Sequence, residues 1–201
     1  MPALSVLAML NTEATFNLRL WTVEEYHRMA ETGILDFSER VELLEGKIIW
    51  MSAKGTANRS AVGRTDRLLQ NRLSNRAYIS IQDPITLNNR SEPEPDIAVV
   101  QIDPLDYADH HPTPSEVYLI IEVADSSLKF DCETKCKAYA QAGIFDYWVL
   151  DVLNRELYVF REPNKDGYQS KVILREDNTI SPLQFPDIQI QVLEMLPPVK
   201  T

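Results

Sequence analysis

The chain has 201 residues, long enough for one well-cored domain and short for two; 44% are hydrophobic and 25% charged, the balance of an ordinary soluble globular protein. A net charge of −10 argues against a nucleic-acid partner, because phosphate binding is dominated by Lys and Arg. The charge is uneven, however: from Lys54 to Arg76 the residues Lys54, Arg59, Arg64, Arg67, Arg72 and Arg76 meet only Asp66, a local excess of five positive charges. Such a patch either faces phosphate or is a solvated helix face.

The opening stretch 2–10 is apolar, but no Lys or Arg precedes it and it is too short to span a bilayer. Residues 1–18 are therefore expected to be an N-terminal tail ahead of one domain over 19–201, with no membrane partner. Thr22, with Glu25 three positions on, predicts a capping box that opens an amphipathic helix over 21–30, and Gly33 lies beyond its end. His27 on that helix is expected to pack or be solvated. Val41–Leu44 and Lys47–Met51 flank Glu45-Gly46 as a hairpin. A second helix is predicted over 58–75, with Val62, Leu69 and Leu73 in one stripe and Arg64 and Arg67 pointing away from it. Residues 78–81 and 85–87 read as short strands broken by Asp83-Pro84, and Pro93 and Pro95 make a stiff approach to Asp96.

The runs Ile97–Val100 and Val117–Ile121 read as strands buried on both faces, each with an acid at one end, Asp96 and Glu122. A carboxylate at the lip of a buried strand is costly unless a cation meets it. A helix predicted over 131–142, ending at Gly143, brings lysines close behind. At about 100° per residue, Lys135 lies roughly 50° from the centre of the face holding Cys132, Cys136, Tyr139 and Ala142, whereas Lys137 lies roughly 150° away. Lys135 can reach the sheet; Lys137 is expected in solvent. Asp96, Glu122 and Lys135 together suggest a site for a hard divalent cation, Mg²⁺ or Mn²⁺. Two plainer readings stand beside it: Asp96 as a turn cap, and Glu122 with Lys135 as a structural ion pair.

The remaining candidates carry less. Cys132 and Cys136 lack the companions of a zinc site and read as reduced thiols of a cytoplasmic protein. Asp125, Ser126 and Ser127 read as cap and turn residues, and His110-His111 as an exposed pair or a metal-binding one. Tyr139, Tyr147 and Trp148 read as core. Phe145–Leu150, Glu156–Arg161, Tyr168–Leu174 and a last strand near 188–193 are expected to form an antiparallel tail.

Pro95-Asp96, Ile121-Glu122-Val123, Asp125-Ser126-Ser127, Asp131, Lys135, Tyr139, Ala142-Gly143-Ile144 and Tyr147–Asp151 together resemble the Uma2 family, which is abundant in cyanobacteria. Arg40–Ile48 and Gln82-Asp83-Pro84 resemble its earlier motifs, so the likeness spans roughly residues 20 to 195. The resemblance implies an α/β fold with a restriction-endonuclease-like core, a variant of the PD-(D/E)XK nucleases: a mixed, curved sheet flanked by helices, with additional antiparallel strands. It implies hydrolysis of DNA phosphodiester bonds by metal-activated water, with Asp96 and Glu122 as metal ligands. Ala124 stands where the nuclease lysine normally does, and Lys135 matches the position to which the family moves it. By the same resemblance Glu42 is an accessory acid, holding a second metal or a bridging water. Asn58 stands where many relatives carry a histidine, and Asn cannot act as a general base near neutral pH. A homodimer is expected by analogy with duplex-cutting enzymes of this fold. The alternative is a nuclease-fold scaffold or regulatory protein that has lost catalysis.

Overall fold

The computed structural model describes residues 18–36 and 38–199, so the apolar stretch 2–10 and nearly all of the expected tail lie outside the described residues. The first helix, α1 (Val23–Glu31), begins at the reciprocal cap its sequence predicts. The Thr22 hydroxyl accepts from the Glu25 amide while the Glu25 carboxylate accepts from the Thr22 amide. β1 (Val41–Leu44) and β2 (Lys47–Trp50) then pair antiparallel through Glu45 and Gly46, whose φ values of 50° and 75° give a two-residue turn that matches strand twist. Gly46 is needed for a second reason: a Cβ there would come within 2.7 Å of the Leu20 Cβ.

Six strands form the central sheet in chain order: β3 (Tyr78–Ser80), β4 (Ile97–Val100), β5 (Val117–Ala124), β6 (Asp146–Asp151), β7 (Glu156–Asn164) and β8 (Gly167–Arg175). Every neighbouring pair is antiparallel except β5 and β6, which run parallel. The continuous apolar runs of β4 and β5 are explained by cover on both faces. Ile97, Val99, Leu119, Ile121, Val123, Trp148 and Leu150 point to one side, where α2 (Thr56–Leu73) packs with Ala61, Val62, Leu69 and Leu73. Ala98, Val100, Ile120, Ala124, Tyr147 and Val149 point to the other, beneath α4 (Cys136–Ala142). Because side chains alternate along a strand, Glu122 shares the α4 face with Ile120 and Ala124, and Asp96 shares it with Ala98. The register pairs Ile97 with Ile121, so the two acids sit side by side at neighbouring strand ends.

Four expectations need correction. Residues 85–87 form no strand, although Ile85 and Leu87 are buried. Ile85 donates to the carbonyl of Pro93, and proline has no amide with which to return the bond and build a ladder. The segment at 145–150 belongs to no antiparallel tail: it crosses over from β5 through α3 (Leu128–Phe130), a π-helical turn (Asp131–Lys135) and α4, and returns parallel. The extra residue in that π turn breaks the regular angular count assumed for 131–142. Lys135 is nevertheless buried and Lys137 exposed, and Asp131 is turned inward as well. Finally, the strand expected near 188–193 shrinks to Ile190–Gln191 (β10), paired with Thr179–Ile180 (β9). Gln191 and Glu194 form a capping box that starts the short helix α5 (Val192–Met195).

Candidate active site

The ends of β1, β4 and β5 and the π turn converge on a cavity of about 540 Å³. Lys135 Nζ lies 3.0 Å from Glu42 Oε2 and 3.0 Å from Glu122 Oε1, bridging β1 and β5. Asp96 is tied to the same assembly through the backbone: its amide donates to Glu122 Oε2 at 3.3 Å, and its own Oδ2 accepts from the Val123 amide at 2.9 Å. The structure thus brings Asp96, Glu122, Lys135 and Glu42 into one pocket, all buried. Glu42 Oε2 also accepts from the Glu94 amide at 3.1 Å, which anchors the Pro93–Pro95 approach to the hairpin.

Several participants take part in contacts that the sequence does not assign to them. Lys54, in the irregular segment between β2 and α2, places Nζ 3.1 Å from Asp96 Oδ1. Its sequence signal was the basic stretch of 54–76, which points to a helix face and not to this cavity. Gly55 beside it leaves room for the opposite wall, since a Cβ there would lie 2.4 Å from Asp125 Oδ2. Gln82 donates from Nε2 to Asp96 Oδ1 at 3.2 Å, and its φ of 57° is a left-handed conformation that a non-glycine residue adopts at a cost. Tyr139 is buried as expected, yet its hydroxyl donates to Glu122 Oε1 at 2.9 Å, so it belongs to the site as well as to the core. Asp131 is buried and accepts from the Ser127 hydroxyl at 2.5 Å, consistent with Ser127 as a turn residue. Asn58 lines the cavity, donating to the Val123 carbonyl at 2.5 Å and leaving its Oδ1 buried without a partner.

Charge dominates this pocket. Seven acids (Glu42, Glu94, Asp96, Glu122, Asp125, Asp131 and Glu133) line it against three lysines (Lys54, Lys129 and Lys135), an excess of four negative charges when all are ionised; Glu42, Asp96, Glu122 and Asp131 are the buried acids. Burial pushes the Glu122 carboxyl up to about 8; Lys135 opposes the shift, and Asp131, Asp96 and Glu42 add to it. Burial likewise raises Asp131 to about 6 against the pull of Lys135. For Lys135, burial alone would favour loss of its proton, but the carboxylates of Glu122, Glu42 and Asp131 outweigh it and hold the amine charged above the usual lysine range. Glu94, half-buried at the edge, is raised by burial and then by Glu42.

The hard oxygens of Asp96 and Glu122 are the ones that could hold a divalent cation. The excess of negative charge favours an added positive charge, which would in turn help the Glu122 carboxyl to ionise. In the structure that charge comes from the protein. Among the described residues these acids do not bring oxygens of three side chains within 4.8 Å of one another, and the two ammonium groups contact Glu42, Asp96 and Glu122 directly.

A mixed sheet clothed by helices on both faces, with acids at adjoining strand ends, is a nuclease-like architecture. The family model of Uma2, described as "Putative restriction endonuclease", matches residues 23–193, and the chain belongs to that family. A crystal structure at 1.96 Å of a "putative nuclease belonging to DUF820" from Anabaena variabilis ATCC 29413 has the same fold. Its TM-score is 0.67 at 14% identity, covering 87% of this chain and 96% of that one. A comparison with curated proteins finds no match. No helix among the described residues is long and apolar enough to cross a membrane.

Proposed function

We propose that this chain is a Mg²⁺-dependent endonuclease, active also with Mn²⁺, that hydrolyses DNA phosphodiester bonds, with Asp96 and Glu122 as metal ligands. The observation that carries this reading is the convergence of Asp96, Glu122 and Lys135 in a single cavity, reached from two strands and a helix. Bound there, a hard divalent cation would supply Lewis-acid charge to the phosphate and lower the pKa of water. Lys135 would leave its bridge to Glu42, orient the attacking water and offset the charge that builds on the phosphorus oxygens. Glu42, thereby released, would hold a bridging water or a second cation, and Tyr139 and Gln82 would keep Glu122 and Asp96 aimed. The substrate would meet positive charge at exposed Arg59 and Arg67 on α2, and Trp50, 69% exposed at the cavity rim, could stack on a base. Part of the basic stretch is committed elsewhere: Arg72 pairs with Glu194 and Arg76 with Asp187. Free Cys132 and Cys136 fit a cytoplasmic setting, and a homodimer would give one active site per DNA strand.

The test is nicking of supercoiled plasmid with Mg²⁺ or Mn²⁺ by the wild type, Asp96→Ala and Lys135→Ala proteins. Nicking by the wild type alone supports the reading; equal nicking by all three, or none by any, overturns it. One observation favours a second reading, a nuclease fold retained as a binding or regulatory scaffold: protein groups already satisfy the oxygens of Asp96 and Glu122. In that case the protein would bind DNA or a partner without metal-dependent cleavage.

A further inference from the structure

The geometry points to a second metal site, distinct from the acid–lysine cavity, in which His27, Glu92 and His111 bind a borderline divalent cation of the Zn²⁺ type. One ligand atom from each of these three side chains lies within 4.8 Å of the other two, and they are the only such group among the described residues. The residues come from three separate parts of the chain: α1, the stiff loop before β4, and the loop between β4 and β5.

Each is held in place by hydrogen bonds or backbone restraint. α1 is held by its capping box and by the Tyr26 hydroxyl, which donates to the Val41 carbonyl at 2.9 Å. The Glu92 amide donates to the Leu43 carbonyl at 2.8 Å, and the Thr86 hydroxyl donates to Glu92 Oε2 at 2.6 Å, leaving Oε1 turned to His27 Nε2 at 2.5 Å. His111 precedes Pro112, which restricts it to extended backbone, and the Pro112 carbonyl accepts from the Thr86 amide at 3.0 Å. Thr86 therefore steadies two of the three ligands, as the outer partner of a metal-bound carboxylate does.

The donor set selects the cation. Two imidazoles and one carboxylate suit Zn²⁺ and its neighbours over Mg²⁺, and three protein ligands leave one position open. The three side chains line a cavity of about 420 Å³ bounded also by Val23 and Tyr107, with room for water or a small anion. Glu92 supplies the driving force. It is buried, and its one ion-pair partner among the described residues is His27, whose side chain is 43% exposed and charged only when protonated. The adjacent His110 is drawn away, with its ring nitrogens on Asp109 at 2.7 Å and Glu116 at 3.2 Å. The histidine pair is thus split between two tasks.

The experiment is equilibrium binding of Zn²⁺ and Co²⁺ to the metal-stripped, tag-free full chain, measured as ions per chain and as the visible d–d bands of Co²⁺. We expect one ion per chain with bands of low-symmetry imidazole ligation in the wild type and in Asp96→Ala, which removes the other proposed site. His27→Gln, His111→Gln and Glu92→Gln should each lose that ion while keeping the wild-type circular dichroism. Thr86→Val, which leaves all three ligands in place, should weaken binding by about 10–100-fold. Three results would overturn the site: no retention of either ion by the wild type, which would make His27 and Glu92 an ion pair only; undiminished binding in the histidine variants; or loss of binding in Asp96→Ala.

Discussion

The two cavities draw on the same short stretch of chain, since residues 92 to 96 give Glu92 to one and Glu94 and Asp96 to the other, yet they meet the cost of buried carboxylate differently. In the first, permanent cations reach the acids: Lys135 touches Glu42 and Glu122, and Lys54 touches Asp96. In the second, Glu92 faces an imidazole that is charged only when protonated. An incoming metal must therefore displace or share space with ammonium groups at the first site, while at the second it replaces a hydrogen bond between two of its own ligands. A carboxylate cluster can thus be electrostatically ready for a cation and still guarded against it. A less charged cluster can be open.

The largest effect should come from removing the central cation. Lys135→Met leaves Glu42 and Glu122 buried without their shared partner, and breaking a buried pair in this way costs about 3–5 kcal/mol. Urea unfolding should show that loss, and His27→Gln in the same assay should cost far less because its side chain is partly exposed. If the two variants lose equal stability, the contrast between the cavities fails.

pH offers the next lever, on the order of a few kcal/mol. The Glu122 carboxyl is raised from an ordinary 4.5 to about 8 and Asp131 from 3.8 to about 6. Their folded forms hold protons more tightly than the unfolded chain. The resulting stabilisation is fully present below pH 4 and is lost as pH rises through 6 and then 8. Metal-free protein should grow less stable over that window, and Glu122→Gln should flatten the upper part of the curve. A wild-type curve that rises with pH would contradict this.

Metal binding should then stabilise the protein. At about 100 times its dissociation constant, Mg²⁺ or Mn²⁺ adds about 2.7 kcal/mol, read as a higher Tm, and Asp96→Ala should abolish that gain. The smallest change is expected from Lys54→Met, which removes the ammonium group beside Asp96 and should tighten Mg²⁺ binding by about tenfold, or about 1.4 kcal/mol. It should leave Zn²⁺ binding at His27, Glu92 and His111 unchanged. Equal effects of Lys54→Met on both ions would erase the distinction between the two sites.

Much of this molecule is legible in the sequence, because local and periodic constraints determine it. The capping box at Thr22, the Glu45-Gly46 turn, the doubly buried strands β4 and β5, and the exclusion of Lys137 from the core follow from hydrogen-bonding geometry and side-chain alternation over a few residues. The same alternation places Asp96 and Glu122 on one face of the sheet, and the choice of Lys135 over Lys137 survives the π turn that the regular helix omits.

Only the tertiary structure decided what meets these residues. Lys54 lies 42 positions before Asp96 and Gln82 lies 14 before it, and no periodic pattern links them. The parallel return of β6, the inward turn of Asp131 and the grouping of His27 with Glu92 and His111 depend on how separate elements pack. From the sequence, His27 falls on a solvated or packed helix face and His111 stands only beside its neighbour His110. A side chain's local period tells which way it points; the partner waiting there is set by long-range contacts, and these also fix the charge balance on which both proposed sites rest.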